Sequence, residues 1–363
     1  MSEHIVLVHG MGQTKAGEFR QQFVDGIKAA LKLYGASAAF YEQSNELKFG
    51  GKTFTLHEFA YNDKFEEKRK AAEEAAGTLR AKIDAIAVRS GNKTRLLNAL
   101  VDMNEWFGTG DFFQTHWVDV LLYRFTVVGE AIRVELGKEI ANLLKTTGVS
   151  PGSVHVVAHS LGTSVVHDTL DRLYTDGVKD PETGTRHRLD RHAHRLASVH
   201  LFANVSKVLE GGVGPANSVV KPGAQGCTHL YVQYNHELDP IPRVEEFAPA
   251  YGNWVSDDAF EFDYDYRQAR AITDANVHGF GHYLLDPENH VALIQTALGA
   301  GSVLRGKKTA ARQAFRKLAL QERLDEVKAG LEGIRRGDVG SIKNLSEAVS
   351  DFVRFLKHMK GET

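Results

Sequence analysis

One short segment of the chain has the residue pattern of a nucleophilic serine. Residues 154–162 read VHVVAHSLG, an apolar run that ends at Ser160 and leads into residues with the apolar spacing of a helix. A serine on a sharp turn between a buried strand and a helix projects its hydroxyl above the sheet edge. The residues two before and two after it must be small, because the strand and helix backbones pass close together there; Ala158 and Gly162 meet this need. The pattern therefore predicts that Ser160 attacks an acyl carbonyl, and that His159 supports the turn.

Acyl transfer also needs two backbone N–H groups aimed at the developing oxyanion. The residue after the nucleophile supplies one of them in such turns, which here is Leu161. The second must come from a loop that follows a neighbouring strand, and residues 9–12 (HGMG) end the apolar run at the start of the chain. We assign this donor to Met11, with Gly10 as the alternative. A phosphate-binding role for the loop is disfavoured, since it lacks the Lys-Ser/Thr ending of a P-loop and the full spacing of a dinucleotide fingerprint.

An activated serine needs a histidine base, and the histidine needs a carboxylate to orient it. The apolar run Leu230–Tyr234 precedes Asp239, a position suited to an acid just beyond a strand end, with Glu237 as the local rival. The base is expected later in the chain. Three histidines there are candidates, and residue types alone leave them open: His278, His282 and His290.

Four segments of the sequence together match the motifs of a known protein superfamily. The chain resembles the lipase and esterase members of the α/β-hydrolase superfamily, and the similarity covers roughly residues 4–300. The resemblance implies that Asp239 is the acid and that His282, a histidine followed closely by a tyrosine, is the base. It also implies hydrolysis of a carboxylic ester through an acyl-enzyme, with no metal or cofactor. The matching segments are VHGMG at 8–12, AHSLG at 158–162, DPIPR at 239–243 and GHYLLDPENH at 281–290.

Alternating strand and helix patterns predict an α/β fold with a mainly parallel sheet flanked by helices. Residues 1–302 are expected to form this domain, and residues 303–363 a pair of amphipathic helices. The helical stretch 62–147 is too long for one crossover and predicts an insertion over the sheet, or a lid. The chain begins directly at the strand before the HGMG loop, so we expect a small sheet without leading antiparallel strands. The predicted strands lie at 4–9, 53–60, 153–158, 195–204 and 228–234.

Aromatic residues of the predicted insertion indicate a possible class of substrate. These residues are candidates for the cap of an acyl pocket, with Gly108 and Gly110 as hinges, and they favour lipid or fatty-acyl esters. The alternative is that they are core residues of covering helices. The residues in question are Trp106, Phe107, Phe112, Phe113, Trp117, Leu121, Leu122 and Tyr123.

Composition indicates which cellular compartment and which classes of partner suit the protein. Net charge is −2 over 363 residues, with one cysteine, so an internal disulfide is excluded and a reducing compartment fits. No signal peptide or membrane span is visible, which predicts a cytoplasmic protein. No nucleic-acid module is visible either. Residues 186–195 are rich in His and Arg; Asp190, His192 and His194 are metal-ligand candidates, but a solvated loop is the preferred interpretation, since no further ligand completes the set.

The C-terminal region is basic, with 14 Lys and Arg against 8 Asp and Glu from Val303 to Thr363. A solvated helical face explains this, and the alternative is peripheral contact with an anionic partner or membrane surface. The predicted substrate is a small-molecule acyl ester. Thioesterase, amidase and acyltransferase activities on the same residues stay open, as does a binding or signalling protein that uses the same fold.

Overall fold

The structure is a computed structural model. It describes residues 3–10, 14–62, 123, 127–146, 149–150, 152–207, 209, 217–239, 241–242, 246–247, 264–271 and 277–318. The strands are β1 (Glu3–Val8), β2 (Ala39–Tyr41), β3 (Glu46–Phe49), β4 (Lys52–Phe59), β5 (Val154–His159), β6 (Val178–Lys179), β7 (Arg186–His187), β8 (Leu196–Phe202), β9 (Thr228–His236) and β10 (Tyr264–Ala269). The helices are α1 (Glu18–Lys32), α2 (Val127–Lys145), α3 (Leu161–Tyr174), α4 (Phe280–Leu285), α5 (Pro287–Val291) and α6 (Lys308–Leu318), with a π-helical segment Ala292–Ala297 and a 3₁₀ turn Gly301–Leu304.

A mostly parallel sheet organises the described part of the chain. Its strands lie in the order β10-β9-β8-β5-β1-β4-β3-β2. All neighbours from β10 to β4 are parallel, whereas β4, β3 and β2 form an antiparallel meander at the edge. The predicted α/β class, with a mainly parallel sheet flanked by helices, is confirmed. The expected small sheet is wrong, because the described sheet has eight strands. Among the described residues no antiparallel strand precedes β1, as expected, and the antiparallel strands β2 and β3 instead lie between α1 and β4 in the chain.

The strand order places one crevice at the carboxyl ends of the strands. From β1 the chain reaches β4 on one side, and from β4 it returns to β5 on the other side of β1. The direction of winding therefore reverses between β1 and β5. Ligands of open α/β sheets bind in the crevice at such a reversal. The HGMG loop follows β1 and Ser160 follows β5, so both border this crevice.

Helices cover both faces of the sheet. On one face α2 and α3 pack on alternate residues of β1, β5 and β8, such as Val6, Val156 and Val199. On the other face α1, α4 and the π-helical segment pack on the intervening residues, such as Ile5 and Val157. All six side chains of β5 are buried, as expected for a strand that lies inside a two-sided sheet. This burial fixes the position of the turn that follows β5.

Several local predictions have a structural outcome. The side chain of Asp286 accepts the N–H of Glu288 and caps α5, a role that an aspartate directly before a proline at the first helical position favours. In the predicted insertion 62–147, residues 62, 123 and 127–146 are described, and 63–122, 124–126 and 147 lie outside the described residues. In the predicted C-terminal helices, α6 is described and residues 319–363 lie outside that part. No helix in the described ranges is long and apolar enough to cross a membrane.

Candidate active site

Ser160 lies on a strained turn between β5 and α3. Its backbone has φ 53° and ψ −126°, a conformation that costs a residue with a side chain free energy. The turn is held by the Ser160 N–H, which donates to the carbonyl of Phe202 at 3.0 Å. A Cβ on Gly162 would lie 2.3 Å from the carbonyl oxygen of His9, and one on Gly10 would lie 2.8 Å from Cβ of Ser160. The close approach predicted from the small residues is therefore present, and it brings the β1 loop against the serine.

A histidine joins Ser160 to the predicted acid. The Ser160 hydroxyl lies 2.8 Å from Nε2 of His278, and Nδ1 of His278 lies 2.7 Å from Oδ2 of Asp239. The His278 side chain is 16% exposed, whereas Asp239 is fully buried. With Nδ1–H donated to the carboxylate, Nε2 is left to accept the serine proton, the arrangement that a general base requires. Ser160 and Asp239 thus share one histidine, as predicted.

Further hydrogen bonds hold Asp239 as an anion. Oδ2 also accepts the hydroxyl of Tyr283 at 2.7 Å, and Oδ1 accepts the N–H of Ile241 at 3.1 Å. Burial by itself would raise the pKa of Asp239, but the charge on His278 and these donors outweigh it and leave the pKa below the ordinary value of 3.8. The acid is therefore ionised at neutral pH and able to orient the imidazole.

The prediction that His282 completes this arrangement is wrong, because helix geometry turns it away. His282 and Tyr283 are consecutive on α4, so their side chains point about 100° apart. Tyr283 faces Asp239, and the His282 ring instead lies 4.9 Å from the ring of His236. His278 precedes α4 and its Gly279 N-cap, and the loop backbone there directs the imidazole toward Ser160.

The other rivals lie apart from the serine. The Glu237 carboxylate pairs with Arg270 at 3.4 Å, whereas the histidine that contacts Ser160 pairs with Asp239. His290 is fully buried in α5, where Nε2 lies 2.8 Å from the hydroxyl of Tyr34. As a candidate base His290 is therefore excluded by this geometry, because α5 directs its side chain inward against Tyr34, just beyond the end of α1.

The oxyanion side of the site is described in part. Leu161 is the first residue of α3, so its N–H has no acceptor within the helix and points to the helix N-terminus beside Ser160. Met11 lies outside the described residues, and its assignment stays a prediction. Gly10, the alternative donor, is described and packs against Ser160.

Side chains that follow β4 anchor the loop after β1. The Tyr61 hydroxyl donates to the carbonyls of His9 and Gly10 at 2.8 and 3.1 Å, and its ring stacks on His9. The His9 ring donates from Nδ1 to the Gly10 carbonyl and accepts the Tyr61 N–H at Nε2. Burial lowers the pKa of His9 to about 4, so the ring is neutral and this tautomer is kept. Sequence reasoning missed Tyr61, since no local pattern links it to a loop 50 residues earlier.

A second anchor holds the far end of that loop. The Asn62 amide donates to the carbonyl of Thr14, and the Glu58 carboxylate accepts the N–H groups of Gly17 and Phe19 at 2.6 and 3.0 Å. The latter two donors lie at the N-terminus of α1, where a carboxylate is favoured by the helix dipole. The described residues on both sides of 11–13 are therefore held by side chains of β4 and of the residues that follow it.

His159 was predicted to support the turn at Ser160, and its observed hydrogen bond goes to a different segment. Its Nε2–H donates to the main-chain carbonyl of His278 at 2.7 Å, so it holds the loop that carries the base. Burial, with a smaller contribution from the nearby His278 charge, lowers the pKa of His159 to about 3. The ring is therefore neutral at neutral pH, and with so low a pKa it is a poor acceptor for the serine proton.

Two further sequence candidates have other roles. Tyr123, considered for an acyl-pocket cap, is fully buried and donates to Asp168 on α3 at 2.8 Å, which makes it a core residue. The Asp190 carboxylate accepts the N–H groups of His192 and Ala193, so it shapes an exposed turn. Within the described ranges no group of three or more His, Cys, Asp or Glu residues is arranged to hold a metal ion.

Comparison with known proteins identifies no relative. No family model matches the chain, no curated protein matches its sequence, and no solved structure matches its fold. What the chain can do must therefore be argued from Ser160, His278 and Asp239 and from the elements that hold them.

Proposed function

We propose that this chain is a serine hydrolase that cleaves carboxylic esters through an acyl-enzyme. The observation that carries the proposal is the continuous path from the Ser160 hydroxyl through His278 to Asp239, on a strained turn at the carboxyl end of a parallel strand. A serine in this setting is aligned with a base and lies beside a helix N-terminus, both of which acyl transfer requires.

In the proposed reaction, Ser160 Oγ attacks the ester carbonyl while Nε2 of His278 takes its proton. Asp239 keeps the imidazole in the required tautomer and stabilises the imidazolium. The proton then passes to the leaving alcohol, and a water molecule activated by His278 hydrolyses the acyl-enzyme. The Leu161 N–H and an N–H from the β1 loop, Met11 or Gly10, stabilise the oxyanion; losing one such donor costs about 3 to 4 kcal/mol in the barrier.

We further propose that the fold is that of the α/β-hydrolases. The serine follows β5, the acid follows β9 and the base follows β10, so the three residues occur in the chain order Ser, Asp, His that this fold uses. The antiparallel meander at one edge and the parallel strands beyond it are compatible with that architecture.

The substrate class depends on residues that lie mostly outside the described part. Lipid or fatty-acyl esters therefore stay a proposal that rests on the aromatic residues of 106–122. Thioesters, amides and transfer to an acceptor other than water use the same three side chains, so a survey of leaving groups separates these activities.

The test is hydrolysis of p-nitrophenyl esters from acetate to palmitate by the wild-type protein and Ser160→Ala. Ser198→Ala is the matched control, because Ser198 is also a buried serine hydrogen-bonded to a histidine. We expect turnover and labelling by a fluorophosphonate probe in the wild type and the control, and neither in Ser160→Ala. Folded wild-type protein that neither turns over any ester nor reacts with the probe would sink the proposal.

A second candidate, contact with an anionic membrane surface, is favoured by one cavity. It has a volume of about 380 Å³, lies between the end of β10, α5 and α6, and is lined by three arginines and two carboxylates: Arg270, Arg312, Arg316, Asp286 and Glu288. Glu288 pairs with Arg312 at 3.0 Å. Residues 303–318 carry six basic and no acidic side chains. Guanidinium groups bind phosphate oxygens in pairs, so an anionic headgroup would bind here by displacing Glu288 from Arg312.

Vesicle sedimentation tests this second candidate with the full chain. We expect binding to vesicles that contain phosphatidylserine, little binding to purely zwitterionic vesicles, and a loss of binding in the double variant Arg312→Ala/Arg316→Ala. The double variant Lys28→Ala/Lys32→Ala, which removes two exposed charges from α1, controls for net charge. Equal binding by the double variant and the control would rule this surface out.

A further inference from the structure

Two buried side chains outside the serine–histidine–aspartate path contact its members from behind. His159 donates to the backbone of His278, and Tyr283 donates to the carboxylate of Asp239. They come from different elements, β5 and α4, and their rings lie 6.3 Å apart. The base and the acid are thus each tied to the core by a neighbour that contacts no reacting atom.

We propose that His159 and Tyr283 are positioning residues that fix the geometry of the active site. The inference rests on the proposed function and deepens it, since it states what keeps His278 between Ser160 and Asp239.

The His159 contact fixes the loop of the base. His278 lies in the loop ahead of Gly279, the N-cap of α4, and the bond from His159 ties the main chain of that loop to β5. The His159 ring is packed against Phe19 and Phe280, with ring centroids 6.5 and 5.7 Å away, and is therefore a rigid donor. Because burial keeps the His159 ring neutral, it adds no positive charge beside the imidazolium that forms on His278.

The Tyr283 contact tunes the acid as well as holding it. Its hydroxyl and Nδ1 of His278 donate to the same oxygen, Oδ2 of Asp239, each at 2.7 Å. Two donors on one oxygen fix the carboxylate plane and share its negative charge. Burial, and then the charge of Asp239, raise the pKa of Tyr283 well above its ordinary value of 10, so the hydroxyl stays a donor throughout the working pH range.

The chain supplies matched controls for both residues. Tyr34 and His290 are also a buried tyrosine and a buried histidine, and they bond to each other at 2.8 Å away from the site. Tyr34→Phe and His290→Ala therefore remove a comparable buried hydrogen bond without contact to the path. If His159 and Tyr283 have only structural roles, substitutions at these two residues should lower kcat no more than the two control variants do.

The kinetic test compares Tyr283→Phe, His159→Ala and His159→Gln with these controls on the best p-nitrophenyl ester. A hydrogen bond to a charged group corresponds to about 10- to 100-fold in rate, and we expect Tyr283→Phe to lose about tenfold in kcat with KM unchanged. Its acidic pH limb should move to higher pH, because a carboxylate with one donor fewer stabilises the imidazolium more. His159→Ala should lose about tenfold or more in kcat, and His159→Gln, which keeps a donor at a similar reach, should recover most of that loss.

A spectroscopic readout separates failure of this inference from failure of the proposed function. The His278 Nδ1 proton, bonded to Asp239, can be followed by proton NMR without substrate. We expect its resonance to shift in Tyr283→Phe and to broaden in His159→Ala, but to stay in place in both controls. If the wild type turns over ester and the variants match the controls in kcat and NMR, the inference is overturned and the function stands. If no ester or probe reacts but the resonance changes as expected, the function fails and the positioning roles stand.

Discussion

The described part of the chain contains two serine–histidine–carboxylate paths on the same sheet, and of these two the path through Ser160 has the setting of a reactive site. In the second path the Ser198 hydroxyl lies 2.7 Å from Nδ1 of His155, and Nε2 of His155 lies 3.0 Å from the Glu3 carboxylate. By side-chain type and distance it is close to the path through Ser160. The two differ in where the strands hold them.

Ser198 lies in the middle of β8, and its hydroxyl also accepts Nε2–H of His200. It lies within the strand, and its exposure of 1% is close to the 2% of Ser160, so burial does not separate the two serines. Ser160 lies beyond the end of β5, with positive φ and a helix that begins at the next residue. Hydrogen-bond geometry therefore does not make a nucleophile by itself; the end of the strand supplies the strained turn and the helix N-terminus with its free N–H groups.

The largest expected effect tests which histidine belongs to the reactive path. His278→Ala should lower kcat by about 10⁴-fold, as expected when a member of such a unit is removed. His282→Ala keeps the path intact and should leave kcat within about threefold, since it removes no contact to the reacting groups. A steady-state comparison on one ester suffices. The reverse result would return the role of base to His282 and contradict the observed geometry.

The next effect tests the close approach at the Ser160 turn. Gly162→Ala places a methyl group 2.3 Å from a backbone carbonyl oxygen, which rigid strand and helix backbones cannot relieve. We expect a loss of about 3 kcal/mol in the free energy of unfolding by urea. Gly281→Ala on α4, where the added Cβ meets nothing within 4 Å, is the helical control and should be neutral or stabilising by up to about 1 kcal/mol. Equal stabilities of the two variants would show that the turn is looser than described.

A smaller effect tests whether the path through Ser198 contributes to stability rather than to catalysis. Ser198→Ala leaves Nδ1 of His155 and Nε2–H of His200 without their shared partner in a buried place, at a cost of about 2 kcal/mol in unfolding free energy. Ester turnover should be unchanged. Ser302→Ala, on an exposed serine, should change stability by less than about 0.5 kcal/mol. Loss of turnover in folded Ser198→Ala would mean that the two paths are functionally coupled.

The smallest effect is the pH dependence of the stability that Glu3 contributes in the path through Ser198. Burial would raise the pKa of Glu3, but its bonds to His155 and Lys52 outweigh this and lower it below the ordinary value of 4.5. A carboxyl with a depressed folded pKa contributes stability above its unfolded pKa, and this stability is lost as pH falls through the folded value. Glu3→Gln should therefore be less stable than wild type at pH 6, and the gap should narrow below pH 4.5 in urea titrations. A gap that stays constant with pH would exclude an ionic role for Glu3.

The sequence predicted those parts of the fold and site that depend on local patterns. The buried strands β1 and β5, the turn at Ser160, the small residues around it and the Asp286 cap all follow from residue type and spacing over a few positions. The edge strands β2, β3 and β10 were not predicted, because short and partly exposed strands lack a strong apolar period. These strands form because they pair with neighbours in the sheet: β10 with β9, β3 with β4, and β2 with β3.

For the candidate site, the sequence by itself determined the serine, the order of acid after serine and base after acid, and the position of Asp239. The choice between His278 and His282 was decided by tertiary structure. His278 lies in the loop ahead of α4, whereas His282, four residues later, lies within α4 and points away from Ser160. The partners Tyr61 and Tyr283 are also tertiary, since each acts on a residue more than 40 positions away in the chain. Local patterns encode turns and strand ends, whereas the direction of a side chain within the crevice depends on how α4 and β4 pack against the sheet.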